Sequence, residues 1–454
     1  MSAEGSHLAT TQPRREARVV GVLLILAYTV ALVTPLVVAG IVRPKTDHTF
    51  LWELGKGFAL AAVVILVLQF VLATRLRRIC RHYGLDIVLR FHSGMAVFAV
   101  GLLVLHPLLF VAGGAGWGLL FSLEAPWYIW LGKIGLLLLL IQVVTSIFRR
   151  KMRLNFEKWR LLHNQAVVIV GLALVHSWFA GGDLRYRPMQ ILWLGLAGVS
   201  VLSYAYHKFY MPWIGKRRAY QVAEVSQEAH NVWTLSFQPP EGRDRFSYLP
   251  GQFHFISLYR GDKYDGEEHP FTISSSPTET GRLTSTIKES GDFTRTIGQT
   301  KPGAPVRVQG PFGRFSHVLR PQETDLVFIA GGIGITPLMS MLRYMRDTQA
   351  EVDVVMLYGN RTEQDIAFQE ELSDITEGQW PRLSVIHVLS EAAEDWRGET
   401  GYIDIDKIRR YCGENSRKKA FYVCGPPPMM GMVIKTLRRL AVPAGCIHSE
   451  MFSL

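Results

Sequence analysis

Four of the fourteen histidines lie inside long apolar runs. His92 and His106 share RFHSGMAVFAVGLLVLHP, and His163 and His176 share WRLLHNQAVVIVGLALVHSW. An ionisable side chain in such a run is costly in lipid and marks a functional site by default. For any single one, a hydrogen bond to a neighbouring helix is the plainer reading. Their spacing argues for more. At about 1.5 Å of rise per residue, His92 and His106 stand roughly 21 Å apart on one helix, and His163 and His176 roughly 20 Å apart on another. The intervals match, so the four form two facing pairs at two depths, His92 with His163 and His106 with His176. Two imidazoles on facing helices are what a six-coordinate haem iron needs, and a helical bundle can supply them. One step is out of phase. Fourteen residues return to within about 40° of the same helix face, whereas thirteen land about 140° away. The helix bearing His163 and His176 must therefore tilt, twist or tighten.

Cations accompany these pairs. Arg90 and Arg160 precede His92 and His163 closely, and Lys133 interrupts the apolar run 125–148. They could attract haem propionates, or simply sit at the membrane rim; Lys133 could also snorkel or meet an anionic acceptor.

Further along, His269-Pro-Phe-Thr-Ile-Ser-Ser275 offers an aromatic, a hydroxyl and backbone donors in strand alternation, which suits a flavin. Ile287-Lys-Glu-Ser-Gly-Asp-Phe-Thr294 adds a cation and a glycine-led helix start, which suits a pyrophosphate. The strand 325–330 runs into Gly331-Gly-Ile-Gly-Ile-Thr-Pro337 and then a helix over 338–346, a second phosphate-type turn. A second strand ends at Gly359-Asn-Arg361 and a third at Cys424-Gly425-Pro426. Three such ends form the crevice in which open α/β sheets bind ligands.

The elements that position these residues follow from hydropathy. Residues 19–42, 57–74, 91–123, 161–182 and 188–206 carry no Asp, Glu, Lys or Arg, and 125–148 carries only Lys133. Each is near or above the roughly 18 residues of a membrane span. After Tyr206 the pattern changes to short β-rich segments over 217–318 and α/β alternation over 319–454. The 454 residues are thus a multidomain chain, which excludes an ordinary soluble enzyme, a disordered chain and a pure transporter. The expected parts are a polar tail (1–18), a six-helix transmembrane bundle (19–210), an antiparallel β-barrel (217–318) and a Rossmann-like α/β domain (319–454).

The net charge of +11 follows this layout. The segments 1–18, 75–90, 149–160 and 207–218 hold eighteen Lys or Arg, and the opposite loops hold five. That asymmetry places the N-terminus and the C-terminal domains in the cytoplasm, with a lipid rather than a nucleic-acid partner. The first apolar run is too long for a signal-peptide core and is read as a retained helix. Cys80, Cys412, Cys424 and Cys446 are scattered, without the spacing of a disulfide framework, zinc site or ferredoxin cluster.

On HPFTISS, GGIGITP and CGPPP the soluble half resembles the ferredoxin-NADP reductase superfamily. With the six spans and two histidine pairs, residues 20–454 resemble the ferric reductase and NADPH oxidase family of transmembrane reductases. The resemblance implies FAD, NADPH (with NADH possible) and two b-type haems. It assigns FAD to His269, Pro270, Phe271, Thr272, Ile287, Lys288, Gly291, Phe293 and Thr294. It assigns the nicotinamide cofactor to Gly331, Gly332, Gly334, Thr336, Pro337, Arg361, Cys424, Gly425 and Pro426. No catalytic acid or base is implied; Cys424 borders the nicotinamide, and Phe452 stands where the family often covers its flavin, although two residues follow it here. His269 replaces the usual arginine of the flavin motif, as in the oxidase branch. The implied path runs from cytoplasmic NAD(P)H through FAD, the inner haem (His92/His163) and the outer haem (His106/His176) to dioxygen, giving superoxide or hydrogen peroxide, or to a ferric chelate. A periplasmic protein acceptor is the alternative, and no regulatory subunit is implied. The expected location is the bacterial inner membrane. Arg361 at a strand end points to a modest NADPH preference, its plainer role being a turn residue paired with Glu363 or Asp365.

Overall fold

The computed structural model describes residues 14–42, 48–149 and 151–450. Phe452 and residues 1–13 of the expected tail lie outside them. The chain divides into two compact units between Trp213 and Ile214.

The first unit is helical: α1 (Arg14–Val42), α2 (Phe50–Ala73), α3 (Arg77–Tyr83), α4 (Leu85–Phe110), α5 (Gly118–Phe121), α6 (Trp127–Ile147), α7 (Phe156–His163), α8 (Ala166–Ala180), α9 (Arg187–Ala205) and α10 (Met211–Arg217). Six helical spans among the described residues are long and apolar enough to cross a bilayer, and each overlaps a run free of charge or nearly so in the sequence. Thr49 caps α2 by accepting from the Trp52 amide, and Glu53 in the first turn complements the helix dipole. Helix α2 is central: Ala62, Val64, Ile65 and Val67 are wholly buried, whereas Leu26, Phe98, Leu137 and Leu202 on other helices are exposed. Those outward apolar faces suit lipid.

The fifth span is interrupted. Helix α7 ends at His163 and α8 starts at Ala166. Across the break Gln165 N bonds Leu162 O at 3.1 Å and Val168 N bonds Gln165 O at 2.9 Å, both spanning three residues instead of four. Such a turn rotates about 120° per residue against about 100° in an α-helix. The regular-helix phase of His163 and His176 therefore does not hold, because the helix between them is not continuous.

The second unit begins with β1 (Tyr220–Ala229), β2 (Val232–Gln238), β3 (Phe253–Leu258), β4 (His269–Thr272), β5 (Leu283–Lys288) and β6 (Pro305–Phe312), an antiparallel sheet in the order β4-β3-β6-β1-β2-β5. Its inward alternation buries Leu235, Phe237, Ile256, Leu258, Ile273 and Ile287 in one core, each worth about 1.5–3 kcal/mol relative to exposure. Then follow β7 (Asp325–Gly331), α11 (Thr336–Asp347), β8 (Asp353–Asn360), α12 (Gln369–Glu377), β9 (Arg382–Leu389), β10 (Glu399–Thr400), α13 (Ile405–Cys412), β11 (Ala420–Cys424), α14 (Pro427–Arg439) and β12 (Ile447–Ser449). These strands pair in parallel in the order β10-β9-β8-β7-β11-β12. Three of the six were visible in the sequence. The two sheets are latched where α11 meets the chain after β4: Ser340 Oγ donates to Ser275 O at 2.8 Å, and Arg343 Nη1 to Ser274 O at 2.7 Å.

Candidate functional site

Helix α4 carries His92 and His106 on one unbroken helix, while α7 and α8 carry His163 and His176. The His92 and His163 rings lie 6.0 Å apart between centroids. A metal bound at about 2.0 Å by one nitrogen of each ring sets that separation at about 6 Å, so the pair suits an iron between them. His92 Nδ1 is buried without a hydrogen-bond partner among the described residues. His163 Nδ1 lies 3.5 Å from Gln142 Nε2 on α6, and the His163 ring stacks on Trp159 at 5.0 Å.

His106 and His176 line one cavity of about 480 Å³ with Trp52, Leu139, Ile169 and Trp193, within the roughly 300–1,000 Å³ of small-molecule and cofactor pockets. His106 Nδ1 is 2.9 Å from Gly55 O and His176 Nδ1 is 2.7 Å from Tyr128 O. A carbonyl can only accept, so each Nδ1 carries the proton and each Nε2 keeps its lone pair. This is the tautomer and backing bond of a metal-ligating histidine. Space is made by glycine: a Cβ on Gly132 would stand 2.7 Å from His176 Cε1, so only a residue without one lets the ring lie against α6. The donors of His106 and His176 and their apolar cavity fit haem, and the spacing of His92 and His163 suits it.

Lys56 and Lys133 line the same cavity. Lys56 pairs with Glu53 at 2.8 Å; Lys133 donates to Ser122 O at 3.2 Å and lies over the Trp130 ring. Arg90 is exposed and paired with Asp86 at 2.7 Å.

In the β unit, His269 at the head of β4 stacks on Phe293 at 3.9 Å. Pro270 and Phe271 follow it in β4, and Thr272 is buried at the end of that strand. Thr272 O accepts from Ser285 Oγ at 2.9 Å, and Ser285 Oγ is 2.7 Å from His254 Nε2. The hydroxyl proton goes to Thr272, so His254 Nε2 donates; burial lowers this histidine to about 3 and keeps it neutral. Sequence reading missed His254, since a histidine within a β-rich run carries no spacing signal. Ile287 and Phe293 pack into the core of the antiparallel sheet. The glycine-led helix start expected at 287–294 is a short tight turn, Thr294–Gln299. Thr294 Oγ1 takes the amide protons of Ser290 and Gly291 itself, at 2.9 and 2.8 Å. Lys288 reaches Asp365 at 3.1 Å.

At the parallel sheet, β7 lies between β8 and β11, so the strand order reverses there, and Gly331, Asn360 and Cys424 end side by side. Such a switch point opens a crevice beyond the strand ends. The glycines bring the loops together. A Cβ on Gly334 would lie 2.4 Å from Cys424 O, and one on Gly331 would strike Met429 and Pro426. Gly332 has φ +51 and open space around it. Thr336 and Pro337 start α11, and Gly425 packs against Gly331. Cys424 is 1% exposed; burial first, then the Glu450 carboxylate, hold its thiol well above the usual range, so it stays protonated. Arg361 is exposed but bound through Nε and Nη2 to Glu391, at 2.8–3.2 Å. Its partner is thus neither Glu363 nor Asp365; Asp365 is taken by Lys288 and the Thr362 amide. Thirty residues of chain separate Arg361 from Glu391, and adjacent parallel strands β8 and β9 bring them together.

Comparison with known proteins matches residues 58–174 to a ferric reductase like transmembrane component, 219–317 to an oxidoreductase FAD-binding domain and 328–435 to an oxidoreductase NAD-binding domain. NADH-cytochrome b5 reductase 1 of Lodderomyces elongisporus is 30% identical over 51% of this chain and 75% of its own length. The glycine betaine monooxygenase reductase subunit of Pseudomonas aeruginosa is 30% identical over 53% of this chain, which spans 65% of that subunit. Among solved structures, the cytochrome b5 reductase domain of Ulva prolifera nitrate reductase superposes with a TM-score of 0.46 at 21% identity, covering 51% of this chain and 96% of that domain. A multi-pass membrane unit followed by FAD- and NAD-binding domains makes this a membrane oxidoreductase, and the three matches together have the arrangement of the ferric reductase and NADPH oxidase-like fusion that the motifs resemble.

Proposed function

We propose that the protein carries electrons from cytoplasmic NAD(P)H across a bacterial inner membrane to dioxygen or a ferric chelate on the far side. In this reading 19–210 is a di-haem domain, 217–318 an FAD barrel and 319–454 a Rossmann-like NAD(P) domain. His92 and His163 hold the inner haem, and His106 and His176 the outer. The observation that carries the reading is the second pair, whose Nδ1 protons are committed to the Gly55 and Tyr128 carbonyls while both residues line one apolar cavity. FAD, when bound, takes a hydride as an electron pair and releases single electrons that a haem iron can carry. The chain's own residues bind and orient. The Ser285 bond to Thr272 O fixes the flavin strand, and the strand ends at Gly331 and Cys424 form the nicotinamide crevice. Lys133 places a cation on the outer cavity, whose lining also holds Asp183 and the Glu53-paired Lys56, and is the side chain there suited to an anionic acceptor.

Each NAD(P)H supplies two electrons and leaves one proton on the cytoplasmic side, so two single-electron acceptors are reduced per turnover. Steady-state oxidation by purified protein tests this, with dioxygen or ferric citrate as acceptor and superoxide dismutase or catalase added. Acceptor-dependent turnover at two reduced acceptors per NAD(P)H is expected. Turnover with neither acceptor, or with neither present, defeats the proposal.

Cofactor choice turns on Arg361, whose guanidinium can hold a 2′-phosphate. Glu391 competes for it, and so exposed an ion pair is weak. Glu391→Gln is expected to raise kcat/KM for NADPH several-fold and leave NADH nearly unchanged; Arg361→Ala is expected to raise the KM for NADPH several-fold. Parallel changes for both dinucleotides in kinetic assays would remove Arg361 from phosphate recognition.

A further inference from the structure

The two histidine pairs differ in what backs them. His106 and His176 each donate Nδ1–H to a main-chain carbonyl. For His163 the backing group is a side chain, the Gln142 amide, 3.5 Å from Nδ1. Gln142 Nε2 faces Nδ1, and Gln142 Oε1 is buried with no hydrogen-bond partner among the described residues. An amide nitrogen can only donate, so this orientation makes Nδ1 an acceptor and puts the imidazole proton on Nε2. That tautomer has no Nε2 lone pair for a metal. Turning the amide by half a revolution, a rotation that leaves its shape unchanged, presents Oε1 to Nδ1–H. It satisfies the orphaned oxygen and frees Nε2 at the same time.

We propose that Gln142 is the positioning residue of the inner haem, its Oε1 accepting from His163 Nδ1–H whenever the iron is bound. The inference rests on the haem reading of His92 and His163. The surroundings are built for the task. Gln142 O accepts from Ser146 Oγ at 2.7 Å, and Ser146 Oγ accepts from Trp159 Nε1 at 3.0 Å. Trp159 in turn stacks on the His163 ring. Helix α6 thus grips His163 at Nδ1 through Gln142 and on its face through Ser146 and Trp159. His92 Nδ1 has no comparable partner among the described residues, so Gln142 is the side chain that can tune this iron through a ligand's Nδ1. A hydrogen bond accepted from Nδ1–H makes the imidazole a stronger donor to iron and favours the oxidised state.

The test is a redox titration of the full-length holoprotein, following the haem absorption bands, together with haem content per chain. Gln142→Met keeps the bulk and removes the acceptor; Gln142→Glu keeps an acceptor and cannot donate when ionised. In Gln142→Met one of the two haem waves is expected to move to higher potential, or one haem to be lost, while the other wave stays in place. In Gln142→Glu the same wave is expected at or below its wild-type position with both haems retained. Unmoved waves in Gln142→Met, equal shifts of both waves, or the same upward shift in both variants would overturn the proposal. His92→Leu/His163→Leu separates the two claims: if that double variant keeps both haems, the ligand assignment itself fails, whatever Gln142 does.

Discussion

Replacing His106 and His176 together by leucine is expected to remove one of the two proposed haems and bring the proposed far-side acceptor reduction to background. Reduction of the bound flavin by NAD(P)H is expected to continue at its wild-type rate. In the proposed reading each ring is a ligand to the same iron, and leucine fills similar space with no lone pair, so the loss is chemical rather than a collapse of packing. The flavin and nicotinamide residues belong to the other compact unit and are untouched. Haem content and stopped-flow flavin reduction check both halves. Unchanged haem content would remove the ligand assignment, and a parallel loss of flavin reduction would show that the substitution had disturbed the whole protein.

The second large effect is expected at Gly334. Alanine there places a Cβ 2.4 Å from the Cys424 carbonyl oxygen, which is backbone and cannot rotate away. The loops after β7 and β11 must then part. Overpacking of this kind costs about 1–3 kcal/mol, a factor of about 5–150 in rate or affinity. Gly334→Ala should therefore slow flavin reduction by NAD(P)H and leave FAD content intact, since β4, the proposed flavin strand, lies in the other sheet. Gly431→Ala on α14 is the control: nothing stands within 4 Å of its Cβ and its backbone is helical. Stopped-flow reduction of the two variants checks the contrast. Wild-type reduction in Gly334→Ala would mean that the loop contact does not shape the crevice.

Much of this protein is legible in the chain itself. The charge-free runs determine the six spans, because a bilayer tolerates neither charge nor unpaired backbone and so imposes one length on every crossing. The two histidine intervals follow from the rise of a helix, and the turn motifs from the few conformations that glycine and proline permit. What depends on contacts distant in sequence was not legible. The break at Asn164–Gln165 sets the phase of His176, yet nothing in the run HNQAVVIVG departs from a helical pattern. Arg361 meets Glu391 only because β8 and β9 lie side by side, and periodicity does not specify which strands become neighbours. Gly132 looks like any helix glycine until the His176 ring is laid against it. Gln142, a lone amide within LLLLLIQVV, went unremarked in the sequence, although a polar residue at membrane depth calls for a partner. That the partner is His163 Nδ1, and that the proton's place on that ring depends on which end of the amide faces it, only the packing of α6 against α7 decides. A side chain's chemistry is written in the sequence, but its tautomer and its partner are set by the atoms that the fold brings within about 3 Å of it.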